Sequence, residues 1–132
     1  MTPDNPPALT AFLVVKNGLD AIDFYKAAFQ AKLLAQYNPP GEKVNAKLSI
    51  GETVFWLGDE EPEFDNLGPE SLGGSPVRFV LTVDDPDAVF ATALAAGATQ
   101  ICPVTVEASW KIGKLKDPFG HIWEIGHPLD ES

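Results

Sequence analysis

The sequence predicts an α+β domain in which two βαβββ modules form a curved mixed sheet around a cavity. Three observations carry this expectation. Strand-like alternation gives way once to a helical period in each half of the chain; the same element order occurs twice; and an acidic, Gly- and Pro-rich stretch separates the two copies.

In the first copy, residues 8–16 are a β-rich apolar run closed by the turn pair Asn17-Gly18. Over 19–29 the period changes: Leu19, Ile22, Phe24-Tyr25 and Ala28-Phe29 fall on roughly one helical face, with Asp20, Asp23 and Lys26 mostly elsewhere. A strand at 32–37 stops at Asn38-Pro39-Pro40-Gly41, where two prolines remove backbone donors. Over 43–50 the alternation is clean, with Val44, Ala46, Leu48 and Ile50 on one face and Lys43, Asn45, Lys47 and Ser49 on the other. After Gly51-Glu52, a fourth strand covers 53–57. Module one therefore occupies about 8–58, and 59–75 reads as a linker.

The order then repeats over about 76–127, within one domain spanning 1–132. A strand at 76–83 leads to Asp84-Asp85-Pro86-Asp87, capping acids with a proline near the first turn, and a helix over 88–96 that Gly97 ends. Strands follow at 99–106, 111–116 and 122–126, the last two joined by Asp117-Pro118-Phe119-Gly120. Aligning Asp20-Ala21-Ile22 with Asp87-Ala88-Val89 brings Phe12 onto Phe79, Lys47 onto Lys114 and Leu48 onto Leu115; one residue of slippage brings Gly58 onto Gly126. Helix composition alone can mimic the first match, but it does not account for the shared order.

A formal net charge of −10 disfavours phosphate backbones and anionic membrane surfaces as partners. Cys102 is the single cysteine, so an internal disulfide and four-cysteine zinc patterns are excluded; its apolar strand context predicts a buried structural thiol. Residues 1–7 carry neither the basic nor the apolar part of a targeting signal, and a cytoplasmic location is expected.

Val14-Val15-Lys16-Asn17-Gly18 with Ala21-Ile22-Asp23-Phe24-Tyr25, the stretch Pro69-Glu70-Ser71-Leu72-Gly73-Gly74-Ser75-Pro76, and Asp117-Pro118-Phe119-Gly120-His121-Ile122-Trp123 together resemble PhnB-like members of the glyoxalase, bleomycin-resistance and extradiol-dioxygenase (vicinal oxygen chelate) superfamily. The resemblance implies the duplicated fold, a small organic molecule as partner and a homodimer. It leaves the activity open, because the superfamily includes isomerases, dioxygenases, thiol transferases and drug-sequestering binders.

Catalytic members hold one divalent ion on the first and last strands of both modules. By strand matching those positions fall here on Thr10, Trp56, Val77 and Glu124, of which Glu124 alone has ligand character. No metal or other cofactor is therefore expected. Where PhnB-like relatives often carry a His, this chain has Asn45, which is either a ligand-binding amide or a surface strand residue. His121 and His127 lack a ligand-spaced partner and read as turn or rim residues. Phe12, Trp56 and Trp110 offer flat apolar surface to an organic ligand or simply fill the core. Lys47 and Lys114, related by the repeat, read as solvated.

The leading expectation is metal-independent binding of a small organic molecule by Thr10, Phe12, Asn45, Trp56, Trp110 and Glu124. One alternative is a lyase, isomerase or oxygenase with an atypical divalent-metal site, in which Glu124 is the candidate catalytic residue. A second is a partner-binding module whose cavity is filled by its own side chains.

Overall fold

A computed structural model of the chain describes residues 6–41 and 43–129, so residues 1–5, most of the stretch read above for a targeting signal, lie outside the described residues. The first half contains β1 (Phe12–Val15), α1 (Gly18–Phe29), β2 (Lys32–Tyr37), β3 (Asn45–Ile50) and β4 (Thr53–Asp59). The second contains β5 (Arg78–Thr82), α3 (Pro86–Ala96), β6 (Thr99–Glu107), β7 (Trp110–Lys116) and β8 (Ile122–Pro128). Between them, where the sequence reads as plain linker, lie a 3-10 turn at Pro62–Phe64 and a short helix α2 (Pro69–Leu72). Glu60 pins this segment by accepting from the Gly68 amide at 2.7 Å, and hydrogen bonds from Ser71 and that amide hold the Glu60 carboxyl below its ordinary value. Among the described residues no helix is long and apolar enough to cross a membrane.

Two four-stranded mixed sheets result, with orders β1-β4-β3-β2 and β5-β8-β7-β6; in each, the first strand runs parallel to the last and the other pairs are antiparallel. Both long helices start where the sequence supplies caps. The Asn17 side chain accepts from Asp20 N at 3.1 Å, and Asp85 accepts from Ala88 N at 3.2 Å with Pro86 opening the helix. Asp59, at the end of β4, takes the Gly18 amide at 2.8 Å and the Val44 amide at 2.7 Å, so a carboxylate of the sheet anchors the start of α1.

These caps and the strand pairing correct the repeat alignment by one residue. Asn17 corresponds to Asp85 as a cap, and since Lys47 pairs with Trp56 and Lys114 with Glu124, Trp56 and Glu124 are equivalent. Phe12, opposite Trp56, then corresponds to Val80, opposite Glu124, and not to Phe79. Matching Asp-Ala pairs in the two helices misplaced the register; cap geometry restores it.

Strand alternation gives each sheet a helix-covered face and an open face. Leu13, Val15, Ala46, Leu48, Phe55 and Leu57 are buried under α1; Leu115, Trp123 and Ile125 are buried on the corresponding face of the second sheet. The two halves share this core. Tyr25 of α1 lies edge-on to Phe55 at 5.7 Å and against Trp123 at 5.6 Å, while Phe29 meets Trp123 at 4.7 Å.

Asp117 ties the joint. This carboxylate is 3% exposed and accepts from the amides of Phe119 (2.9 Å) and His121 (3.0 Å), from the Trp123 indole (2.9 Å) and from the Tyr25 hydroxyl of the other half. His121 is buried, contrary to the rim expectation, because its Nε2–H donates to the Val14 carbonyl across the joint at 2.9 Å. His127 likewise donates to the Val83 carbonyl at 2.8 Å. Cys102 lies exposed on β6, not buried: α3 leaves most of that edge strand uncovered.

Burial, reinforced by the Asp117 charge, raises the Tyr25 phenol well above its ordinary value of 10.0. A raised folded-state value stabilises the fold fully below the unfolded value and loses that contribution as pH climbs above it. Tyr25→Phe is therefore expected to cost about 1–3 kcal/mol at pH 8. In urea titrations the wild-type advantage should shrink at pH above about 10, where the unfolded phenol ionises; a constant difference would argue against this account of Tyr25.

Candidate functional site

The α1 and α3 helices pack against each other, so the open faces of both sheets look the same way. On the first sheet Phe12, Asn45, Lys47 and Trp56 share the open face. Tyr37 stacks on Trp56 at 6.0 Å, and the Lys47 ammonium lies 6.0 Å from the centre of the same ring. Asn45 and Phe12 meet over Gly58, where a methyl group would stand 2.9 Å from Phe12 Cζ and closer still to Asn45 Oδ1. The absence of a side chain on β4 lets an amide and an aromatic ring lie side by side.

On the second sheet the open face carries Arg78, Val80, Lys114 and Glu124. Arg78 Nε lies 2.9 Å from Glu124 Oε1. The Glu124 side chain is 18% exposed and that of Arg78 is 63% exposed, so the carboxylate is held while the guanidinium remains open. The sequence reading missed Arg78. Thr10 and Arg78 each lie two residues before the paired positions Phe12 and Val80, so Arg78, not Val77, is the counterpart of Thr10. Val77 precedes β5 and is exposed. The signal was available in the strand register but not in residue identity.

A cavity of about 530 Å³ opens at the seam between β1 and β5. Leu13, Val54, Phe55, Val80, Leu81 and Trp123 supply apolar wall; Thr10, Thr53 and Arg78 are its polar members. Of the residues expected to bind ligand, Thr10 lines this cavity. Glu124 touches it through Arg78, and Phe12, Asn45 and Trp56 form the adjoining open face. Trp110 stands apart at the far end of β7, paired with Pro128.

Comparison with known proteins places this architecture. Residues 8–125, covering both sheets, match the model of the Glyoxalase/Bleomycin resistance protein/Dioxygenase superfamily. The chain belongs to that superfamily. An uncharacterized protein of Mycobacterium bovis is 41% identical over 131 residues, covering 95% of this chain and 86% of its own. The X-ray structure of an Arabidopsis thaliana gene product superposes with a TM-score of 0.71 at 27% identity, covering 93% of this chain and all of that one. The structure of a glyoxalase/bleomycin resistance protein/dioxygenase family enzyme from Burkholderia phytofirmans shares the fold with a TM-score of 0.74 at 19% identity, over 91% of this chain and 97% of that one.

Against the divalent ion of catalytic superfamily members, the donors here do not fit. A hydroxyl, an indole, a guanidinium and one carboxylate already held by that guanidinium do not make a metal site. Among the described residues no three His, Cys, Asp or Glu side chains converge.

Because the Arg78 side chain is largely exposed, its pairing with Glu124 positions groups more than it stabilises the fold. A double-mutant cycle with Arg78→Gln and Glu124→Gln should give a coupling of about 1 kcal/mol or less in urea unfolding. A coupling of several kcal/mol would mark the pair as a structural core element.

Proposed function

We propose that this chain is a PhnB-like superfamily member that binds a small organic molecule in the seam cavity without a metal ion. The observation that carries the reading is the cavity's make-up: about 530 Å³ of mostly apolar space with a few polar groups in its lining. That volume lies within the usual range for small-molecule sites, and such sparse polar groups typically orient a ligand rather than transform it. The expected anchors change accordingly. Thr10 and Arg78 take the place assigned from sequence to Asn45 and Glu124, and the aromatic face of Phe12 and Trp56 adjoins the cavity.

The enzyme alternative loses its main support. Glu124 as general base or metal ligand would first have to release Arg78, whose guanidinium lies 2.9 Å from it. A wholly filled core, as the partner-module reading requires, is at odds with the seam cavity.

Fluorescence titration with the neutral dye N-phenyl-1-naphthylamine in excess chelator tests the reading. One dye per chain should bind with a dissociation constant on the order of micromolar, and Ala11→Phe, which places a ring in the cavity, should weaken binding at least about tenfold. Dialysis against manganese or zinc should leave no tightly bound equivalent. One equivalent held at micromolar metal would contradict the proposal.

A further inference from the structure

We infer that the cavity selects an apolar molecule bearing one anionic head group, and that Arg78 receives that head. The inference rests on the cavity-binding reading and adds the ligand's charge.

Charge is segregated in this fold. The chain as a whole carries −10, and its acids crowd the helices, turns and linker: Asp20 and Asp23 on α1, Glu63 and Asp65 in the linker, Asp84 and Asp87 around the start of α3. The open side of the two sheets has the opposite balance. Lys47, Arg78 and Lys114 lie there, and Glu124 is the carboxylate in their midst. Glu124 lies opposite Lys114 across the β7–β8 pair and contacts Arg78 from the β5 side, so two cations flank one anion. Lys47 occupies the corresponding position in the first sheet. A local positive surplus within an acidic protein draws an anion to this side and repels it elsewhere.

Arg78 is the charged member of the cavity wall. Its Nε faces Glu124 at 2.9 Å, which fixes the side chain while leaving the terminal nitrogens of an exposed guanidinium for a second acceptor. A planar guanidinium suits a carboxylate or sulfonate through two parallel N–H donors, and a neighbouring carboxylate that orients it reduces the freedom lost on binding. The walls behind it exclude a small hydrated anion as the whole ligand: Val54, Phe55, Val80 and Leu81 offer no polar partner through their side chains. The complementary molecule has an apolar or aromatic body and one anionic end.

The test pairs two dyes of similar body, 8-anilinonaphthalene-1-sulfonate and the neutral N-phenyl-1-naphthylamine, titrated against the full chain. The sulfonate should bind at least about tenfold more tightly. Arg78→Gln should abolish that difference while retaining the neutral dye, which also reports that the cavity is intact. Arg78→Lys should fall between the two, and Lys26→Gln, on exposed α1 surface, should change neither affinity. Equal affinity of the wild type for both dyes overturns the inference and leaves cavity binding standing, as does undiminished sulfonate binding by a folded Arg78→Gln variant. Failure of both dyes to saturate would overturn the cavity reading itself.

Discussion

The fold depends on one buried carboxylate. Asp117 sits in the turn between the last two strands, and isolating a charge there would be costly without full hydrogen bonding. Two backbone amides of its own turn, the Trp123 indole and the Tyr25 hydroxyl supply that bonding. Tyr25 belongs to the first half of the chain and the other donors to the second. Satisfying the charge therefore brings α1 onto the second sheet, and the contact of His121 with the Val14 carbonyl fixes β1 beside it.

Everything at the candidate site follows from that joint. With α1 and α3 side by side on one surface, the other faces of both sheets open in the same direction, and the edge strands β1 and β5 flank the cavity without joining into one hydrogen-bonded sheet. The remaining gap is the cavity. In metal-bearing members of the superfamily, a cation at such a centre would be an ion held by side chains. Here a cation is part of the chain: Arg78 stands where strand register puts a ligand position and neutralises the carboxylate that remains. A guanidinium can hold an anion but cannot generate a metal-bound nucleophile, and that difference is the physical basis of the binding role proposed above.

Much of the fold was legible because burial imposes periods on the sequence. The strand at Lys32–Tyr37 and the turn at Gly51-Glu52 are where alternation and turn chemistry put them. The site was less legible. Glu124 was found because the family resemblance puts a ligand position there and its residue type keeps ligand character, whereas Arg78, preceding Phe79 at a strand start, looks like ordinary edge polarity until pairing register places it opposite Ile122 and within reach of Glu124. The same limit applies to the Asp-Pro-Phe-Gly-His motif. Sequence marks it as a turn and a family signature, but the partner that gives Asp117 its role lies 92 residues away. Trp110 shows the converse error, since an aromatic on a lining strand need not lie near the cavity.

The three tryptophans allow the location of binding to be measured directly. Trp123 forms part of the cavity wall, whereas Trp110 lies five residues along β7 from Trp123's partner Leu115, about 17 Å away at the usual strand rise. In fluorine NMR of 5-fluorotryptophan-labelled protein, with resonances assigned by single substitutions, saturating 8-anilinonaphthalene-1-sulfonate should move the Trp123 resonance and leave Trp110 in place. Saturable binding that moves Trp110 and spares Trp123 would contradict the account.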